Sequence, residues 1–206
     1  MDPKQLVRVG WDRLSYAYRA EAGGACGHDY TPWVDKLCDG LGPSSHILDL
    51  GCGCGIPVAR LLASRGEVTG VDISPVQVDR ARALVPGGRF ICADMCSVEF
   101  PAGAFDAVVS FYSIIHVPIE EQEALFRRIA SWLKPGGFFM GTLGSAAWTG
   151  TERDWLGVEG ATMYWSHADA QTYRRWLGEA GFEVHVDEFV PEGDGGHHLF
   201  YAKCIG

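Results

Sequence analysis

The sequence predicts an α/β domain: a doubly wound, mostly parallel sheet with helices on both faces. Three observations carry this. An apolar run, Ile47-Leu48-Asp49-Leu50, enters a turn with glycine at alternate positions, Gly51-Cys52-Gly53-Cys54-Gly55. Between residues 47 and 143, strand-like and helix-like stretches alternate at short intervals, the pattern of a parallel sheet covered on both faces. Acidic residues stand at strand ends, Asp72 after the second strand and Asp94 after the third. In such sheets ligands bind at the carboxyl ends of the strands.

The elements follow in order. Leu6, Val9, Trp11, Leu14 and Tyr18 recur at nearly helical spacing in residues 1–20. A glycine-rich break covers 22–27, and a second helix over about 32–41 opens at Pro32. After the glycine turn, Pro57 starts a helix over 57–65, where its missing N–H is no loss. Glu67–Val71 is a strand. Ser74-Pro75 then supplies an N-cap and a first helical residue for 75–85. Arg89–Ala93 and Phe105–Ser110 are strands, and a helix spans 120–133. Leu133-Lys-Pro-Gly-Gly137 stops it and leads into a fifth strand. The stretch 144–168 is glycine-rich and carries Trp148, Trp155, Tyr164 and Trp165. Ser166-x-x-Asp169 reads as a capping box opening a helix over 168–180, with Gly181 as its stop. Phe182–Phe189 alternates as a strand, a glycine-rich turn covers 191–196, and His198–Cys204 is the last strand.

At 206 residues the chain is most simply one domain, 1–206. It has no apolar run of the roughly 18 residues that a membrane helix needs, and from its polar N-terminus no signal peptide is expected. A cytoplasmic location is expected. The net charge is −9, and the basic pairs Arg127-Arg128 and Arg174-Arg175 lie in helical stretches. That balance disfavours nucleic-acid substrates and favours a neutral or cationic small acceptor. The seven cysteines (26, 38, 52, 54, 92, 96 and 204) have no regular spacing, as expected of reduced thiols. Cys52-x-Cys54 invites a metal reading, but its turn is taken up by the glycines and no second ligand pair has metal spacing. His197 and His198 are adjacent on a strand and point to opposite faces, so they cannot chelate together. No metal is expected.

The glycine spacing selects the nucleotide. A dinucleotide fingerprint needs G-x-G-x-x-G, and position 56 is Ile; no Lys-Ser/Thr pair follows to cradle phosphates. What stands at 49–55 is D-x-G-x-G-x-G. With Asp72, Asp94-Met95, Phe105–Ser110 and Leu133–Gly137 arriving in sequence, the chain resembles the class I S-adenosylmethionine-dependent methyltransferases of small-molecule type.

The resemblance implies a Rossmann-like sheet of seven strands, mostly parallel with an antiparallel last strand. It implies S-adenosylmethionine as cofactor and S-adenosylhomocysteine as product. Residues 1–45 become a helical lid, and 144–168 a cap on the acceptor pocket. Asp49 would meet the methionyl ammonium, and the turn Gly51, Cys52, Gly53 and Gly55 would lie against the cofactor. Asp72, with Ile73 beside it, would hold the ribose hydroxyls. Asp94 would face the adenine amine and the Met95 N–H a ring nitrogen. Phe111 and Tyr112 would flank the methionine moiety. Tyr18, in Trp11-Asp-Arg-Leu-Ser-Tyr-Ala-Tyr18, would reach the cofactor carboxylate. Capping a turn is the competing role for Asp49 and Asp94, and helix packing that for Tyr18.

Methyl transfer from a sulfonium asks mainly for alignment with water excluded, which supplies roughly 7–11 kcal/mol. A base is needed only where the nucleophile must lose a proton, so catalytic residues leave a faint signal. His116, just past strand four, and His167, beside a helix start, are the candidate bases, with His197 and His198 beside the glycine turn competing for the role. Trp148, Tyr164, Trp165 and His197 are the candidate acceptor contacts. Packing is the competing role for each. The expected function is methylation of a small molecule, by analogy in bacterial specialised metabolism, by a monomer or homodimer with no nucleic-acid or membrane partner. Two other readings stand: N-methylation of a cationic amine, and a cofactor-binding protein that transfers no methyl, such as a sensor or repurposed cyclase.

Overall fold

The computed structural model describes residues 2–19 and 29–206; the glycine-rich break, Cys26 and His28 lie outside them. The chain opens with α1 (Pro3–Tyr18) and α2 (Thr31–Cys38), then β1 (His46–Leu50), α3 (Val58–Ala63), β2 (Glu67–Asp72) and α4 (Pro75–Leu84). β3 (Arg89–Cys92), β4 (Phe105–Ser110), α5 (Ile119–Trp132) and β5 (Leu133–Gly144) complete the alternation. A hairpin of β6 (Trp148–Glu152) and β7 (Met163–His167) precedes α6 (Ala170–Glu179), β8 (Phe182–Glu192) and β9 (Gly195–Cys204).

Seven strands form one sheet in the order β3-β2-β1-β4-β5-β9-β8. β1 to β5 run parallel, and β9 runs antiparallel to both neighbours, as expected. The order reverses between β1 and β4, so a crevice opens at their carboxyl ends. Period-two alternation sends successive residues to opposite layers. Leu48, Val108, Phe139 and Phe200 pack under α5 and α6 against Phe126, Ile129 and Tyr173. Ile47, Val109, Met140 and Tyr201 pack under α2, α3 and α4 against Leu37, Leu62 and Val78. Apolar residues on both faces are what a doubly covered sheet requires.

Helix starts are fixed by side-chain caps. Ser74 accepts from Gln77 N at 3.1 Å at the head of α4. The capping box at 166–169 is corrected: Asp169 itself caps α6, accepting from Thr172 N at 2.8 Å. Ser166 belongs to β7, and its hydroxyl accepts from Ile119 N at 3.1 Å, satisfying an orphan donor at the head of α5. α3 likewise begins at Val58, with Pro57 just outside it.

The segment read only as an aromatic, glycine-rich cap contains the β6–β7 hairpin, in register Trp148↔His167 to Glu152↔Met163. α1 lies across it. Leu14, Ala161 and Met163 form a small third core with Trp11, Trp155 and Trp165. The crossing is close at Gly10, where an added Cβ would stand 2.5 Å from Met163 Sδ and 2.7 Å from Thr162 O. α1 is also fastened to α4: Arg80 donates to the Ser15 and Arg19 carbonyls, and Ser15 Oγ to Gln77 Oε1 at 2.7 Å. Among the described residues no helix is long and apolar enough to cross a membrane.

Candidate active site

A cavity of about 530 Å³ lies at the carboxyl ends of β1 to β4, under α1 and beside both hairpins. Its floor is built from strand ends. Asp72 closes β2, and the chain turns at once into α4. Its Oδ2 accepts from Gly53 N and its Oδ1 from Ser74 N, each at 2.9 Å. The carboxylate is therefore held between two turns, and each oxygen keeps a lone pair for a ligand. Burial pushes its carboxyl up to about 6, against the two backbone bonds that favour ionisation.

Asp49 points up from β1. It is buried, and its Oδ2 has no hydrogen-bond partner among the described residues. Burial first, and then the nearby Asp72 charge, push its carboxyl up to about 7. An orphaned buried carboxylate beside a second one is a site for a cationic, hydrogen-donating group. Between the two runs the turn of alternating glycines. Gly51 has φ +75°, and a Cβ there would fall 2.1 Å from Ser113 Cβ. Gly53 has φ +53° and lines the cavity, so ligand atoms can reach its main chain. Gly55 lies off the cavity wall and packs on α4, with Val85 and Ala81 beside it.

Asp94 follows β3 and also lines the cavity. Its Oδ1 caps a turn through Cys96 N at 2.8 Å, and its Oδ2 pairs with Lys4 of α1 at 2.7 Å. Lys4 bridges onward to Glu121 of α5 at 2.5 Å. The carboxylate expected at an adenine amine thus already ties down α1. Ile73, Met95, Phe111 and Tyr112 line the cavity beside it.

The upper wall is aromatic. Trp11 meets Tyr18 at 5.0 Å and Trp155 at 5.7 Å between ring centroids, and Trp155 meets Trp165 at 5.3 Å. His116 adjoins Trp165 at 4.4 Å. A second group joins Tyr30 to Phe111 at 5.5 Å and Tyr112 to His197 at 5.1 Å. Tyr18 is both packed and on the cavity wall.

The histidines differ in kind. His116 is buried, and its Nδ1–H donates to Tyr164 O at 2.7 Å, pinning β7 to the turn after β4. Burial holds its pKa down to about 4, so the ring is neutral and weakly basic. His167 donates Nδ1–H to Ala146 O at 2.6 Å and lies off the cavity wall. His197 is on the wall, and its Nδ1 meets Glu192 Oε2 at 3.1 Å. Trp148 and Tyr164 are not on the wall either: Trp148 is 49% exposed on β6, and Tyr164 serves through its carbonyl. Trp165 is on it.

Sequence reasoning did not single out Lys4, Arg19, Tyr30 or Gln77 as cavity residues; Glu192, named among acids that could attract a cationic acceptor, is on the wall. Trp11 was visible only as part of the Tyr18 pattern. Among the described residues no cluster of His, Cys, Asp and Glu could hold a metal ion.

Residues 47–137 match a methyltransferase domain family. Sterol 24-C-methyltransferase ERG6B of Gibberella zeae is 35% identical over 143 residues, 65% of this chain and 37% of that protein. This chain spans between 32% and 57% of the lengths of the first curated relatives. Magnesium protoporphyrin IX methyltransferase from Synechocystis, solved with S-adenosylmethionine, shares the fold at a TM-score of 0.73 and 20% identity, over 98% of this chain and 97% of that one. The cyclase SpnF shares it at a TM-score of 0.72 and 22% identity, over 95% of this chain and 94% of that one. The matched domain, this strand order and the carboxylate-and-glycine floor are those of the class I S-adenosylmethionine-dependent methyltransferases.

Proposed function

We propose that this protein methylates a small molecule bound between the floor of the cavity and its aromatic roof. The observation that carries the reading is the buried Asp49 carboxylate, which lines a cavity walled by tryptophans beside Asp72 and keeps one oxygen without a hydrogen-bond partner among the described residues. Asp49 would hold the methionyl ammonium of S-adenosylmethionine, and the main chain of Gly51, Cys52 and Gly53 would lie against it. Asp72 would hold the ribose hydroxyls, and Ile73, Asp94 and Met95 the adenine. Phe111 and Tyr112 would flank the methionine, with Tyr18 and Arg19 toward its carboxylate. When bound, the cofactor supplies an electrophilic methyl on a sulfonium.

The chain's own contribution is alignment and exclusion of water. Alignment alone supplies roughly 7–11 kcal/mol. Trp11, Tyr18, Trp155 and Trp165 offer ring faces and edges to a planar apolar acceptor. His116 holds the roof in place through Tyr164. The reading also takes the protein to be cytoplasmic, a monomer or homodimer, and at work in bacterial specialised metabolism. The six described cysteines, all free thiols, fit a reducing compartment.

The test is a calorimetric titration with S-adenosylmethionine, S-adenosylhomocysteine and NAD, followed by assay of S-adenosylhomocysteine release over a panel of phenols, amines and thiols. Binding of the first two ligands but not NAD, with release on at least one acceptor, is expected. Failure to bind either sulfur ligand overturns the reading. Binding without release over the whole panel favours a cofactor-binding protein that transfers no methyl.

A further inference from the structure

The β8–β9 hairpin brings a histidine and a carboxylate together at the cavity wall. Val190 pairs with His197 and Glu192 with Gly195 across the hairpin, so residues five apart in sequence meet beside its turn. His197 Nδ1 and Glu192 Oε2 are 3.1 Å apart. A carboxylate accepts, so Nδ1 carries the proton and the neutral ring presents Nε2 as its basic atom. His197 is 18% exposed, and its ring stands edge-on to Tyr112 at 5.1 Å. Tyr112 directly follows Phe111 at the end of β4, on the stretch that walls the methionine end of the proposed cofactor site. Glu192 also borders the Tyr112 phenol, which burial and then this carboxylate keep protonated.

Neither of the other two histidines near this cavity has these properties. His116 spends its Nδ1–H on a backbone carbonyl and lies too deep to charge readily. His167 is off the wall. Among the described residues only His197 combines a carboxylate behind one nitrogen with a place on the cavity wall.

We propose that His197 is the catalytic base for a hydroxyl acceptor on an aromatic ring, and that Glu192 is its positioning residue. The inference rests on the methyl-transfer reading above. His197 Nε2 takes the hydroxyl proton while the acceptor oxygen forms its bond to the methyl carbon. The carbon–sulfur electron pair returns to sulfur, and the sulfonium becomes a neutral thioether. The imidazolium left behind is balanced by Glu192 until it gives its proton to solvent. An aromatic hydroxyl fits this end of the cavity because Tyr30, Phe111 and Tyr112 wall it. An ammonium acceptor would need a counter-charge, and Glu192 is already engaged by His197.

The experiment compares wild type, His197→Gln and Glu192→Gln on paired acceptors, 2-naphthol and 2-naphthalenethiol at pH 8. The thiol is largely ionised and needs no base. S-adenosylhomocysteine affinity, read by calorimetry, is expected to stay within about twofold in both variants. Its loss in wild type would instead strike the methyl-transfer reading. For His197→Gln, turnover of the naphthol is expected to fall about 10²–10⁴-fold, the range of a lost general base, while the thiol loses less than about tenfold. Glu192→Gln is expected to show a smaller loss with the same naphthol-to-thiol bias. Nitrogen-detected imidazole NMR of wild type, which needs no acceptor, is expected to show His197 protonated at Nδ1 and to lose that preference in Glu192→Gln. Equal losses on both acceptors, unchanged naphthol turnover, no naphthol turnover in wild type, or an Nε2–H tautomer would each overturn the proposal.

Discussion

The floor and the roof of the cavity are built on different principles. The floor is made of strand ends and tight turns, and its side chains are fixed by main-chain donors. Asp72 is gripped by Gly53 N and Ser74 N, both within a few residues of strand ends. The roof is made of rings from three separate stretches, α1, the turn after β4 and the β6–β7 hairpin, held mostly by contact with one another. A backbone-fixed floor suits a constant ligand. A roof of packed rings can change its shape by substitution without disturbing the sheet, which suits a ligand that differs among relatives.

Substitutions on the two sides should therefore separate. The largest effect is expected at Asp72→Ala, which removes a charged acceptor for two hydroxyls and weakens S-adenosylmethionine binding by about 1.5–3 kcal/mol. Calorimetry on the folded variant checks it, and an unchanged affinity would break the contrast at once. Next is Trp155→Ala. It should raise the acceptor KM by the equivalent of about 0.5–1.5 kcal/mol, the worth of an aromatic pair beyond its area, and leave cofactor affinity alone. Parallel titrations of the two ligands decide it; a loss on the cofactor side would mean that roof and floor are one unit.

The smallest effect is one of sign. Asp49 ionises near 7 in the folded protein against an ordinary 3.8. Its raised pKa means that the folded state holds the proton longer, so its contribution to stability falls as pH rises from 3.8 to about 7. Asp49→Asn should flatten that slope and raise Tm at pH 8, while weakening S-adenosylhomocysteine binding. Melting curves from pH 5 to pH 8 test the first half and calorimetry the second. A lower Tm at pH 8 would show that the carboxylate is better satisfied than its orphaned oxygen indicates.

The same division governs what the sequence made legible. The floor was readable because its determinants are local: alternating glycines after a strand, and an acid at each strand end. The roof was not. Trp155 and Trp165 lie in one short stretch, but their partners Trp11 and His116 come from far away in the chain. The β6–β7 hairpin escaped because aromatic and glycine content does not distinguish paired strands from a loop. Ser166-x-x-Asp169 satisfied a local capping pattern, yet the Ser166 hydroxyl serves Ile119 N, 47 residues back. Asp94 was legible as a strand-end acid, but its ion pair with Lys4 spans 90 residues. His197 and Glu192 were each legible beside the glycine turn, but their pairing was not, because only the hairpin register brings the two side chains side by side.

The fastening of α1 has a kinetic consequence. At one end Lys4 links α1 to Asp94 and Glu121, and at the other Arg80 and Gln77 clasp Ser15. Under the proposed reading, a nucleoside lodged against Asp94 would sit behind the first of these clasps, and its residence time would be set by how often α1 lets go. Charge pairs at a rim weaken with ionic strength, whereas a backbone-bound carboxylate does not. Salt should therefore quicken the escape of spent cofactor before it loosens the grip of Asp72, and turnover in such an enzyme would be paced by the opening of its door.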